Sequence, residues 1–245
     1  MSGKFTLSFL LLLFSGSVLC GQELKPYHKN VIKFNPTPMI WSTHNVTLSY
    51  ERYLWKNQTA CITLGYLALP KLFPDNIGNI LALSGRQKYG VNVCLEYRFY
   101  LSKRNARPTP DGVYIAPYAS YYGYHFKNDF NIINSSADSA GMIKGTYYIF
   151  NLGVELGYQF VFWKRLTLDF VLIGPAVSYY GGSTIISGNI NRAEMQEVYQ
   201  EIYEKLQSQF PPMNNLFVSH DFQNSGQLSL FSVGFRYLVQ VGFHF

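Results

Sequence analysis

Hydrophobic and polar positions alternate along most of this chain. Between residues 226 and 245, Phe231, Val233, Phe235, Tyr237, Val239, Val241, Phe243 and Phe245 fall on one parity. Ser232, Gly234, Arg236, Gln240, Gly242 and His244 fall on the other, with Leu238 the exception. Successive side chains of a β-strand point to opposite faces, so the pattern predicts a strand with one apolar and one polar face. Residues 87–101 repeat it, with Tyr89, Val91, Val93, Leu95, Tyr97 and Phe99 opposing Gly90, Asn92, Cys94, Glu96 and Arg98. Residues 146–162 do so again, with Tyr148, Phe150, Leu152, Val154, Leu156, Tyr158, Phe160 and Phe162 opposing Asn151, Gly153, Glu155, Gly157 and Gln159. Five further segments read as strands: about 30–36, 44–54, 59–69, 113–126 and 165–179. The 113–126 segment is so rich in tyrosine that parity does not decide its faces.

The connections between these eight segments alternate in length. Residues 55–58, 102–112 and 163–164 form short or moderate turns, whereas 70–84, 127–145 and 181–225 are long; only 37–43 breaks the order. Short turns on one side and long loops on the other are the habit of outer-membrane barrels, whose short turns are periplasmic. An even strand count then puts both termini in the periplasm. Trp41, Tyr53, Trp55, Trp163, Tyr179 and Tyr180 stand near strand ends, where interfacial girdles form. The expected fold is all-β: an eight-stranded antiparallel up-and-down transmembrane β-barrel. A lipocalin-like soluble barrel has the same periodicity with the apolar parity inside. The girdle aromatics and the charges on the opposite parity favour the membrane.

Composition agrees. Charged residues are 14% of the chain, against ~25% in soluble domains, and aromatics are 17%. Mean hydropathy is −0.01. No long apolar stretch follows the first twenty residues, which excludes a helical membrane protein but not a barrel, because alternation averages hydropathy away. Those first residues run Lys4, an apolar stretch over 5–14, then Ser15, Gly16 and Ser17, the layout of a secretory signal peptide. Residues 1–20 are therefore expected to be the signal and 21–245 the barrel domain. Lipidation at Cys20 is disfavoured by Leu19 directly before it. The formal charge of +6 is scattered without a basic run, so a nucleic-acid partner is not expected. Cys61 and Cys94 lie on polar parities of neighbouring strands, leaving a disulfide or two buried thiols open.

The loop at 181–225 contains a predicted helix over about 192–210. Met195, Tyr199, Ile202, Tyr203, Leu206 and Phe210 recur at helical spacing, and Pro211 with Pro212 ends it. Its apolar stripe packs on the rim or docks a partner.

The polar parities gather Lys33, Glu51, Glu96, Arg98, Glu155, Asp169 and Arg236. Eight-stranded barrels have interiors just wide enough for side chains, and buried charges must be paired, so these predict a salt-bridged, filled lumen. Glu155 and Asp169 are expected to share a base such as Arg98 or Arg236. His44, His125 and His220 map to the loop side, but their separation does not point to a metal site, and no cofactor is expected. No His-x-Ser pair of the lipid A deacylase type occurs, and His220-Asp221 lacks a nucleophile in register, so the chain is not expected to be an enzyme.

A family pattern also runs through the chain. KNVIKFN (29–35), LSYER (48–52), EYRFYLSK (96–103), DGVYIAPY (111–118), LGYQFVF (156–162), LTLDF (166–170) and Gly174-Pro175 resemble, in order, a Bacteroidota family of outer-membrane barrels of unknown function. The extended last loop departs from that family. Tyr237, Val241, Phe243 and Phe245, with an aromatic in last place, resemble the C-terminal insertion signal of bacterial outer-membrane barrels. The resemblance implies a small barrel and brings no catalytic residue. The expected role is structural or surface-binding through the external loops. Narrow solute conduction and lipid A modification are the alternatives. The expected partners are outer-membrane lipids, the barrel-insertion machinery, and an extracellular or envelope partner at the last loop.

Overall fold

Eight antiparallel strands close into a ring. The computed structural model describes residues 28–40, 43–68, 76–77, 80–101, 105, 107–132, 140–188, 196, 200 and 227–245. The strands are β1 (Asn30–Phe34), β2 (Val46–Tyr53), β3 (Gln58–Leu67), β4 (Asn76–Ile77), β5 (Ile80–Tyr100), β6 (Gly112–Ile132), β7 (Ala140–Phe162), β8 (Leu166–Gly188) and β9 (Gln227–His244), with a 3-10 turn at Thr37–Ile40. Neighbours in sequence pair antiparallel, β3 pairs β5, and β9 pairs β1, which shuts the ring. The two residues of β4 pair only with Ile80 and Leu81. Closure pairs every strand of the ring with two neighbours, although β9 meets β1 only over Val241 to His244.

The ring is apolar outside and polar inside. Leu48, Leu64, Leu95, Leu152 and Val154 are exposed, while Lys33, Arg98, Glu155 and Asp169 are buried. Aromatics mark both ends of the outer wall. Tyr97, Phe99, Phe160, Phe162, Trp163 and Phe243 lie toward the short turns, and Tyr121, Phe150, Tyr179 and Phe231 sit in register nearer the other end. Tyr180, expected in this girdle, instead faces the lumen, and Trp41 lies outside the described residues.

A β-bulge turned Tyr180 inward. In β8, Val171 faces Leu238 and Gly174 faces Arg236, so Leu172 and Ile173 together oppose Tyr237. The extra residue switches the inward parity from Thr167, Asp169 and Val171 to Gly174, Ala176 and Ser178. Leu238, the parity exception of the last strand, is buried opposite buried Val171.

Strands β5 to β8 are longer than alternation predicts. β6 and β7 stay paired to Asn131↔Ala140, so most of the expected 127–145 loop is strand. β8 likewise takes residues 181–188 from the expected last loop. Lys127, Asp129 and Lys144 show why: past the apolar band the outer face turns polar while Phe126, Ile143 and Ile186 are buried on the inner face, so pairing continues without the apolar outer parity that announces it. The wall is uneven as a result. β1, β2 and β3 have 5, 8 and 10 residues, whereas β5 to β8 have 21 to 23.

Both two-residue turns, Lys56-Asn57 and Trp163-Lys164, have positive φ at each central residue. That is the type I′ geometry whose twist matches paired strands, and here neither position is glycine.

Candidate functional site

The lower lumen is a continuous ionic cluster whose charged groups come from β1, β2, β5 and β8. Lys33 on β1 reaches across to Asp169 Oδ2 on β8 at 2.7 Å and to Glu51 Oε2 on β2 at 2.5 Å. Its Nζ also donates to Gln159 Oε1 on β7 at 2.6 Å. Arg98 on β5 donates to Asp169 Oδ2 at 2.6 Å and to Glu96 Oε2 at 2.5 Å, and sits 3.6 Å from Glu51 Oε2. Tyr114 donates to Asp169 Oδ1 at 2.8 Å while its ring lies under the Arg98 guanidinium, 4.4 Å away. Tyr100 and Thr59 donate to Glu51 Oε1. All these side chains are buried.

A second tier lies above. Arg236 on β9 donates to Glu155 Oε2 at 2.8 Å and to Glu96 Oε1 at 2.6 Å. Its guanidinium is 5.0 Å above the Tyr118 ring, and the Tyr118 hydroxyl donates to the Gly174 carbonyl. The bulge thus puts side-chain-free Gly174 opposite Arg236, where a larger residue would crowd the Arg236 and Glu155 stems. Glu155 and Asp169 do not share a base. The shared group is the Glu96 carboxylate, which bridges Arg98 and Arg236, because β5 carries Glu96 between the two tiers. Ion pairs and cross-strand hydrogen bonds compensate the cost of burying these charges, which unpaired would be several kcal/mol each.

Sequence reasoning missed Tyr100, Tyr114, Tyr118 and Gln159. The tyrosine run hid the inward parity of β6, although Ala116 and Ser120 share it with Tyr114 and Tyr118. Tyr114 also explains a glycine. Its phenol lies where a Cβ on Gly157 would go, with the Phe170 carbonyl on the other side. Gly157→Ala is expected to lower stability by about 1–3 kcal/mol through overpacking. Urea unfolding in lipid vesicles measures this, and an unchanged midpoint would mean that Tyr114 is free to swing aside.

Cys61 and Cys94 are buried and free. They face Glu96 and Thr63 across the β3–β5 ladder, two register steps apart. His125 Nδ1 lies 3.1 Å from Thr146 Oγ1, His44 stands in a turn, and His220 lies outside the described residues. Among the described residues, no three His, Cys, Asp or Glu side chains gather as a metal site. Gln196 and Gln200 are helical. Met195, Tyr199, Ile202, Tyr203, Leu206 and Phe210, the expected docking face, lie outside the described residues. Tyr237, Phe243 and Phe245 are exposed on the outer wall with Val241.

The lumen is not filled throughout. Above Arg236 lies a cavity of about 320 Å3, walled by tyrosines of β6 and β8 with Ser120, Asn151 and Gly234. The filled-lumen expectation therefore holds for the ionic tiers only. Charge is concentrated where β1 and β2 complete the ring. Higher up, the short β1–β3 wall contributes few side chains.

Fold and lumen together define an eight-stranded up-and-down β-barrel, apolar outside and ion-paired inside. The chain belongs to the family described as Protein of unknown function (DUF3575), which it matches over residues 8–181. A major outer membrane protein from Thermus thermophilus is similar in structure, at 12% identity, 89% coverage of this chain, 98% of that chain and a TM-score of 0.36. No curated protein matches the sequence.

Proposed function

We propose that this protein is an integral outer-membrane barrel with a closed ionic lumen, whose role is structural or surface-binding through its external end. The ionic cluster carries this reading. Lys33, Glu51, Arg98, Glu96, Asp169, Glu155 and Arg236 cross the lumen from six strands and leave the lower half no open path. The apolar exterior supports membrane placement, since the ring exposes leucine, valine and phenylalanine along its whole wall. Both termini are then periplasmic, residues 1–20 are the export signal, and the insertion machinery reads the aromatic last strand. Outer-membrane lipids are the immediate partners. The segment between β8 and β9, with the helix expected over 192–210, is the surface offered to an envelope or extracellular partner. Neither catalysis nor a cofactor is part of this reading.

Planar-bilayer recording tests it. The native barrel is expected to give no stepwise conductance. Glu96→Ala with Arg236→Ala, which removes the bridge between the tiers, is expected to open measurable steps. Steady conductance from the native protein would replace the sealed-barrel reading with the conducting one.

A further inference from the structure

The cavity above the ionic tiers is lined along one side by consecutive residues of β9. Inward Arg236, Ser120, Tyr122 and Asn151 line it, and so do Phe235 and Tyr237, whose side chains stand on the outer wall. Thr37, from the 3-10 turn after β1, lines it too. Thr37 also bonds the backbone of Val239 at the β9 edge, so the cavity reaches that edge.

The pairing shows why the edge is free there. β9 meets β1 only over Val241 to His244. Asn30 and Phe245 exchange backbone hydrogen bonds, so the odd-numbered residues of β9 aim their N–H and C=O at β1. At Val239 the Thr37 hydroxyl takes over, accepting from the N–H at 2.9 Å and approaching the carbonyl at 3.3 Å. From Tyr237 upward, no described strand pairs with this edge. Side-chain exposure follows: 36% at Val239, then 65% at Tyr237 and 82% at Val233.

We propose that this cavity binds a single-chain amphiphile with an uncharged head, admitted from the bilayer between β9 and the low β1–β3 wall. The proposal rests on the reading that the outer wall faces lipid. The head chemistry follows from the floor. Arg236 is already held by Glu96 and Glu155, and the cluster has four carboxylates against three bases, so a further anion is disfavoured. What remains are phenols, the β9 edge and the Asn151 amide, which donates one N–H to Ser120 Oγ at 2.9 Å, accepts from Ser178 at 2.6 Å and keeps a second N–H, all uncharged groups suited to hydroxyl and ester groups. Phe235 and Tyr237 flank the exit with apolar surface for the chain. A volume of about 320 Å3 is at the small end of ligand pockets, enough for one head and the start of one tail, not for a two-chain phospholipid.

A monoacylglycerol carrying a diazirine near its ester tests this with the full-length protein in phospholipid vesicles. Photolabelling is expected on peptides containing Ser120 to Tyr122 and Phe235 to Tyr237. Unlabelled monoacylglycerol is expected to compete at least about tenfold better than the fatty acid of equal chain length. Asn151→Leu, similar in size, is expected to weaken labelling up to about tenfold, the loss of one or two hydrogen bonds. Ser120→Phe, which fills the space, is expected to abolish it. Label spread over outer-wall peptides around Leu152 and Leu172, without competition, would overturn the site. Equal competition by the fatty acid would overturn the uncharged head. Boiled and unboiled migration of the same samples separates the two layers. A native sample lacking the compact unboiled form overturns the membrane reading and this proposal with it, whereas a compact form with diffuse label overturns this proposal alone.

Discussion

Arg98→Met is expected to destabilise the barrel by about 3–5 kcal/mol, the cost of removing one partner from a buried ion pair. Arg98 is fully buried and contacts the carboxylates of Glu96 and Asp169 directly, with Glu51 at 3.6 Å. Methionine keeps most of the volume but returns no charge. Asp169 would keep Lys33 and Tyr114, and Glu96 would keep Arg236. The two tiers together would then hold two bases against four carboxylates. Urea unfolding in vesicles, followed by loss of the compact unboiled band, reads the change. Adding Asp169→Leu is expected to recover part of the loss, because a well-packed apolar pair replaces a buried ionic one at little net cost. A loss below about 1 kcal/mol for the single variant would show that the cluster is hydrated and that the sealed-lumen reading is wrong.

Val154→Arg is the second large effect, expected to cost about 2–4 kcal/mol in lipid. Val154 is exposed on the outer wall of β7, near the middle of the apolar run from Tyr148 to Phe162. Charge on a lipid-facing midplane position is heavily penalised. On a strand facing water the same substitution stays within about 0.5 kcal/mol. The variant therefore separates a membrane barrel from a soluble one with the same strand pattern. Refolding yield into vesicles and the urea midpoint measure it, and a neutral result would remove lipid from the outer wall.

The ring and the faces of its strands were legible in the chain because a β-strand has a period of two. An apolar outer wall and a charged interior then give every second residue different surroundings. Glu96 with Arg98, Glu155, Asp169 and Arg236 could thus be assigned to the lumen from parity alone. The same logic failed on β6, where tyrosine satisfies either face. It failed again past the apolar band, where β6 to β8 continue as strands with Lys127, Asp129 and Lys144 outward and Phe126, Ile143 and Ile186 buried inward.

Alternation along the chain by itself determined the fold class, the strand count and the inward charges, since each depends on one residue and its neighbours two steps away. Tertiary structure alone decided which charges meet. Glu96 became the bridge between Arg98 and Arg236 because ring closure brings β5 and β9 to the same lumen level. The bulge at Leu172 and Ile173 turned Tyr180 inward and set Gly174 under Arg236. The unequal strand lengths left the β9 edge above Val239 without a partner strand among the described residues, beside a cavity. Register, bulge and closure are relations between strands far apart in sequence, and local periodicity carries no information about them.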